Sequence, residues 1–114
     1  MTLRELATLL EWDALSEGSG LDVPVLGGYC GDLLSHALAS AKPGEIWVTI
    51  QRHANVVAVA QVAGLAGIVL ACGSRASDSV IERAREAGIP ILASSDSAFV
   101  LAGRIHRALF PEAQ

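Results

Sequence analysis

Three strand–helix units follow one another in the second half of this chain of 114 residues. In each unit, an apolar run typical of a strand leads within a few residues into a pattern of helical period. The predicted strands cover residues 45–50, 67–71 and 89–93, and the predicted helices cover residues 55–63, 77–87 and 97–109. Strands that alternate with helices in this way predict a parallel sheet with both faces covered.

Two further helices are predicted in the first half of the chain. Thr2 and Glu5 have the spacing of a capping box, and apolar residues recur with helical period just after it. Asp32 is a candidate N-cap for a helix over residues 33–41. With the strand candidates between them, the predicted order of elements in the first half is α-β-β-α.

The first half also contains two weaker strand candidates. A short strand is predicted at 12–15, and a bent or edge strand at 23–29, because Pro24 cannot donate to a sheet ladder. A turn is predicted at 16–20, and the tail at 111–114 is expected to fray. The fold prediction is one α/β domain over residues 1–114, with three α/β/α layers around a mostly parallel sheet of about five strands.

Composition narrows the range of partners. The net charge of −4 gives no attraction to phosphate backbones or anionic lipids, so neither a nucleic-acid nor a membrane partner is predicted. The most apolar stretch, residues 56–72, is shorter than the roughly 20 residues of a membrane span. The N-terminus lacks the pattern of a secretory signal, and Cys30 and Cys72 lack metal-ligand spacing. A cytoplasmic protein with reduced thiols and no cofactor is predicted.

Polar residues follow the ends of the predicted strands, where parallel sheets bind ligands. The two turns concerned contain Gln51, Arg52, His53 and Asn55, and then Cys72, Gly73 and Ser74. Because right-handed connections place the turns at one edge of the sheet, these residues are expected to line one crevice. Arg52 and the free amides of a helix start favour a small anion such as a nucleotide phosphate. The competing explanation is that Asn55 caps a helix while Arg52 and His53 are solvated.

The third turn, residues 94–97, suggests a different mechanism. Ser95 or Ser97 at the start of a helix is a candidate phosphorylation site, because amides and the helix dipole stabilise a phosphate there. The chain would then act as a phosphoserine switch of the anti-sigma-antagonist type. Capping of the last helix by Ser95 or Asp96 explains the same residues without a modification.

An enzyme is the remaining alternative, with Cys72 as nucleophile and His53 as its base. The sequence otherwise lacks the glycine-rich nucleotide loops and the GxSxG elbow of known enzyme classes. A response-regulator receiver is excluded because its strand-end aspartate is replaced by Gln51, Cys72 and Ser94. The residues therefore favour a protein without enzymatic activity.

From residue 23 onward the chain resembles the DRTGG domain family. The similarity is found in residues 47–53 (WVTIQRH), 67–73 (GIVLACG) and 83–92 (RAREAGIPIL), the last being a helix closed by Gly before an Ile-Pro strand. Residues 31–34 (GDLL) are also similar to the N-terminal domains of HPr serine kinase and the Mur ligases, which have a similar fold. The resemblance implies a dimeric regulatory or ligand-binding module that docks a signalling partner.

A homodimer is also expected from the aromatic residues. Trp12, Trp47 and Phe110 are candidates for a contact surface, since aromatic side chains are enriched at interfaces. The alternative is that all three pack inside the core.

Overall fold

The computed structural model describes residues 1–17 and 20–113. Five strands are present: β1 (Asp13–Ser16), β2 (Gly27–Cys30), β3 (Glu45–Thr49), β4 (Gly67–Leu70) and β5 (Ile91–Ala93). The α-helices are α1 (Leu3–Leu9), α2 (Leu34–Ser40), α3 (Asn55–Ala63), α4 (Asp78–Ala87) and α5 (Ala98–Leu109). Part of the turn predicted at 16–20 lies outside the described residues, as does the last residue of the tail, while Pro111–Ala113 form a short 3₁₀ helix.

The strands form one sheet in the order β1-β5-β4-β3-β2. Neighbouring strands from β2 to β5 are parallel, and β1 pairs antiparallel with β5. The prediction of a mostly parallel α/β sheet of about five strands is therefore confirmed. From β2 to β5 each strand lies next to the one before it in the chain. Each connecting helix brings the chain back to the edge of the sheet where the next parallel strand begins.

Helices cover both faces of this sheet. One core cluster joins α2, α3 and α4 to the sheet through Trp47, Ile68 and Ile91. The other joins α1 and α5 to the opposite face through Ile46 and Val48, together with Val69 and Leu92. Successive residues of a strand point to opposite faces, so the buried apolar residues of β3 and β4 supply both clusters.

The expectation that Trp12 and Trp47 lie on a contact surface is wrong. Trp47 is completely buried and donates from its indole Nε1 to the Gly31 carbonyl at 2.8 Å, whereas Trp12 is 8% exposed. A sheet covered on both faces needs large side chains in its two cores, and these indoles provide them. Phe110 remains 41% exposed, so it is the aromatic residue of the three that is available at the surface.

Helix capping agrees with the sequence at the start of α1 and at the end of α4, where the left-handed Gly88 is the C-cap. The Thr2 amide donates to Glu5 Oε1 at 2.9 Å, and the Glu5 amide donates to Thr2 Oγ1 at 3.2 Å, which confirms the capping box. Asn55 is not an N-cap: it is the first residue of α3, and Ala54 occupies the capping position without a side-chain bond. The prediction at Asn55 is thus wrong by one residue.

The predicted strand at 23–29 is shorter and later in the chain than expected. Pro24 takes part only in an isolated bridge with Thr2, and the regular ladder begins at Gly27. β2 is an edge strand, as predicted, but the irregular register occurs in β1 between Ala14 and Ser16. The regular strand therefore begins after Pro24, and it is not a longer strand that bends at the proline.

Among the described residues, no helix is long and apolar enough to cross a membrane.

Candidate functional site

The turns that follow β3 and β4 border an open cavity of about 840 Å³. One wall is the β3–α3 turn, and the other is the segment that leads into α4. The polar residues that line the cavity are Gln51, Arg52, His53, Arg75, Ser77 and Ser79. Its volume is within the range of small-molecule sites, which is about 300–1,000 Å³.

The cavity lies between neighbouring helix starts and not at a reversal of strand order. Ligands of open α/β sheets collect where the strand order reverses, but the order from β2 to β5 runs in one direction. α3 and α4 lie on the same face of the sheet, so their amino ends border the same space. Helix amino ends present unpaired backbone amides and a partial positive charge.

The charge of the cavity is opposite to that of the chain as a whole. The chain has a net charge of −4, yet Arg52 and Arg75 line the cavity and no carboxylate is among its lining residues. Arg75 pairs with Asp13 at 3.2 Å, with 55% and 69% of the two side chains exposed. An ion pair so exposed contributes little, so Arg75 can turn toward an anion at small cost.

Asp32 holds the cavity wall in position. Its Oδ1 accepts from the Thr49 hydroxyl at 2.7 Å and from the Ile50 amide at 3.0 Å. The Thr49 hydroxyl oxygen in turn accepts from the Gln51 amide at 3.1 Å, and the Ser74 hydroxyl donates to the Ile50 carbonyl at 3.3 Å. The segment that precedes Arg52 is therefore fixed from both neighbouring strands.

The prediction that Asp32 caps α2 is wrong. Leu33 occupies the N-cap position without a side-chain hydrogen bond. The carboxylate bonds to the end of β3 instead, and strand order decides this contact. No local signal marks it, because Asp32 and Thr49 are separated by 17 residues.

The structure brings together only part of the predicted residue set. Gln51, Arg52 and His53 line the cavity, while the other four, Asn55, Cys72, Gly73 and Ser74, do not. The exposed Asn55 donates from its backbone amide to His53 Nδ1 at 3.2 Å. Ser74 acts on the wall through Ile50, as described above.

Cys72 and Gly73 form a left-handed turn outside the cavity, and their contact with a ligand stays a prediction. Their φ angles are 60° and 72°. The Cys72 amide donates to the Asp96 carbonyl at 2.7 Å, and the Gly73 amide donates to the Ser94 carbonyl at 2.9 Å. The Cys72 side chain is exposed and makes no hydrogen bond to His53, so the nucleophile–base pair is not assembled.

Three polar lining residues are absent from the predicted set: Arg75, Ser77 and Ser79. Ser77 is the N-cap of α4, since its Oγ accepts from the Val80 amide at 3.4 Å, and it contacts the Ser79 hydroxyl at 3.1 Å. The capping pattern of Ser77 was a usable signal, because ligands of parallel sheets lie next to helix starts. The presence of Arg75 in the same cavity as Arg52 depends on tertiary structure alone.

The turn between β5 and α5 contains the two candidate phosphorylation sites, and one of its serines caps a helix. Ser97, and neither Ser95 nor Asp96, caps α5, with its Oγ accepting from the Val100 amide at 3.2 Å. Asp96 pairs with Arg104 at 2.7 Å. Ser95 is exposed. The phosphorylation of Ser95 or Ser97 stays a prediction.

No cluster of three His, Cys, Asp or Glu side chains suited to a metal ion occurs within residues 1–17 and 20–113.

Comparison with known proteins adds a family and a fold. The model of the family described as "DRTGG domain" matches residues 29–108. A similar structure is that of the CBS and DRTGG domains of the regulatory region of Clostridium perfringens pyrophosphatase, complexed with the activator diadenosine tetraphosphate. The two superpose with a TM-score of 0.72 at 15% identity, over 91% of this chain and 45% of that one. This chain therefore spans less than half of that structure. No curated protein matches the sequence.

Proposed function

This chain belongs to the DRTGG domain family, and we propose that it is a regulatory module without enzymatic activity that binds a nucleotide-type anion. The proposed binding site is the cavity between the β3–α3 turn and the start of α4. The observation that supports it most is that Arg52 and Arg75, from two different turns, line one cavity whose lining residues include no carboxylate. Guanidinium groups are the preferred protein partners of phosphate, because they form paired, charge-assisted hydrogen bonds.

The similar pyrophosphatase region supports a nucleotide as the class of ligand. That region is complexed with diadenosine tetraphosphate, which is an activator of that protein. In the present chain, two arginines and two helix amino ends suit a phosphate group, and His53 with Gln51 offers polar contacts beside it. A regulatory role follows if binding rigidifies the two turns that form the cavity.

The absence of enzymatic activity is part of the same proposal. Cys72 has no hydrogen bond to His53, and its backbone amide joins the turn after β4 to the turn after β5. A cysteine nucleophile needs a base within hydrogen-bond reach. We propose further that the module is a cytoplasmic homodimer that docks a signalling protein.

Binding is tested by thermal shift and calorimetry with ATP, ADP and diadenosine tetraphosphate. Stabilisation at sub-millimolar ligand is expected. Arg52→Ala and Arg75→Ala should each weaken binding about ten- to a hundredfold, since one charge-assisted bond is worth about 1.5–3 kcal/mol. The matched control is Arg85→Ala, because Arg85 lies on α4 outside the cavity and pairs with Glu82 at 3.2 Å.

Two outcomes contradict the proposal. If none of the three nucleotides stabilises the protein at millimolar concentration, nucleotide binding is excluded and a protein partner alone remains. If Arg85→Ala weakens binding as much as Arg52→Ala and Arg75→Ala do, the attraction is a general effect of charge, and the cavity is not the site.

A further inference from the structure

The outer edge of β2 is open. β2 lies at one end of the sheet, with no strand beyond it in the part of the chain that the structure describes. Proteins protect such edges with lysines, prolines, bulges or charged side chains. β1, at the other end, has an irregular register and carries the charged side chain of Asp13. β2 has the uncharged sequence Gly-Gly-Tyr-Cys and pairs with β3 in continuous register.

The backbone of β2 offers an alternating set of donors and acceptors at this edge. The Gly31 amide donates to the Val48 carbonyl on the β3 side. In a parallel ladder every second residue faces the same neighbour, so Tyr29 also faces β3. The amides and carbonyls of Gly28 and Cys30 consequently face outward.

We propose that a second copy of this chain pairs with this edge in antiparallel orientation, centred on Tyr29. This assignment rests on the dimer proposed above and identifies its surface. Gly28 of each copy then exchanges both backbone hydrogen bonds with Cys30 of the other, and the two five-stranded sheets become continuous. The contact is isologous, so it closes at two copies and does not propagate into a fibre.

The side chains fit this register. Tyr29 meets its own counterpart at a non-hydrogen-bonded pair, where opposing side chains are closest and aromatic pairs are favourable. Gly28 lies opposite Cys30 of the other copy, so one of the two facing positions has no side chain. A Cβ atom built on Gly28 would lie 3.9 Å from Ile105 of α5, which covers that face.

One charge pair agrees with the antiparallel direction. Lys42 and Glu45 border the groove at the amino end of β2, and the Glu45 carboxylate lies beside Gly27 of its own β2. Asp32 follows the carboxyl end of β2, where its Oδ1 accepts from Thr49 and Ile50. Antiparallel pairing moves Lys42 of each copy toward Asp32 of the other, whereas parallel pairing would place the two Lys42 side chains together and the two Asp32 side chains together.

Apolar surface surrounds the same edge. A groove of about 470 Å³ runs along β2 beside α5. Leu26 and Phe110 line it with 65% and 41% of their surfaces exposed, and the Phe110 ring lies against His106 with centroids 5.3 Å apart. Burial of these side chains adds a hydrophobic contribution to the backbone pairing.

Disulfide trapping tests the register. Tyr29→Cys is made in a Cys30→Ser, Cys72→Ser background, and oxidation is expected to give a covalent dimer. The Cα atoms of a non-hydrogen-bonded antiparallel pair are about 4.5 Å apart, which is within the range of about 4.4–6.8 Å that a disulfide spans. Ala14→Cys in the same background is the matched control on the opposite edge, and it should remain uncrosslinked.

A proline substitution tests the edge without a cysteine. Gly28→Pro removes an outward amide but no bond to β3, so the monomer should fold, as measured by circular dichroism, and the dimer should be lost. Gly28→Ala keeps the amide, and its Cβ meets Ile46 at an ordinary 3.7 Å, so it should remain dimeric. Light scattering should give about twice the chain mass of 11.8 kDa for the wild type.

The outcomes distinguish a wrong choice of dimer surface from the absence of a dimer. A wild-type mass of 11.8 kDa at tens of micromolar overturns both the dimer and the assigned edge. A dimer that survives Gly28→Pro and fails to crosslink at position 29 overturns the edge alone, and it leaves the proposed dimer and the proposed ligand site unaffected.

Discussion

Asp32 Oδ1 accepts a hydrogen bond from the Thr49 hydroxyl at 2.7 Å, and this contact joins the carboxyl end of β2 to that of β3. Because the same oxygen accepts from the Ile50 amide, one carboxylate determines the path of the chain into the turn with Arg52 and His53. The geometry of the candidate site thus depends on a residue outside the cavity.

Replacement of Asp32 is expected to destabilise the protein. Asp32→Ala leaves the Thr49 hydroxyl and the Ile50 amide without their acceptor, which should lower the free energy of unfolding by about 1–3 kcal/mol in urea titration. Asp22→Ala is the control, because Asp22 is 78% exposed in its pair with Arg4 and should cost less than about 0.5 kcal/mol. Equal losses for the two variants would show that the Asp32 contact has no special role.

The two buried indoles should respond differently to Trp→Phe substitution. Trp47 Nε1 donates to the Gly31 carbonyl, whereas Trp12 Nε1 is buried without a hydrogen-bond partner. Trp47→Phe should therefore cost about 1 kcal/mol more than Trp12→Phe, since it leaves a carbonyl unsatisfied as well as removing volume. Chemical denaturation of the two variants measures the difference, and a larger loss for Trp12→Phe would contradict the assignment.

Cys30 should react slowly with alkylating reagents. Partial burial raises the pKa of the Cys30 thiol, and the negative charge of Asp32 raises the pKa further. The rate of reaction with iodoacetamide in a Cys72→Ser background should rise with pH at a higher midpoint than for a free cysteine peptide.

The same pKa shift makes a prediction about stability. The unfolded chain loses the Cys30 proton at lower pH than the folded chain, so the contribution of this group to stability is full below the unfolded pKa and falls as pH rises. Cys30→Ser should remove that part of the alkaline loss. An identical pH dependence in wild type and variant would count against the raised pKa.

Alanine substitutions of Ser97 and Ser95 should differ in their effect on stability. Ser97→Ala deletes the acceptor of the Val100 amide and should cost about 1 kcal/mol of stability, while Ser95→Ala at an exposed position should be nearly neutral. Thermal unfolding compares the two. If a phosphoserine switch operates, intact-mass measurement of protein from its native cells should show an added phosphate, and its consistent absence would leave capping as the role of Ser97.

The sequence by itself determined the elements whose causes are local. Alternation of apolar runs with helical periods located β3, β4, β5 and the helices between them, because side-chain period is a property of neighbouring residues. The capping box at Thr2 and Glu5 is local in the same sense. Gln51, Arg52 and His53 could be assigned to a cavity because strand ends in a parallel sheet share one edge.

Tertiary structure alone decided the contacts between distant residues. Asp32 bonds to Thr49 instead of capping α2, Arg75 and Arg52 line the same cavity, and Trp47 is buried instead of exposed. Each of these contacts depends on which strands are neighbours and on the register between them. Strand order and register in turn depend on the burial of both apolar faces of the sheet. A local pattern does not contain that information, because it leaves open which residues far along the chain complete the contact.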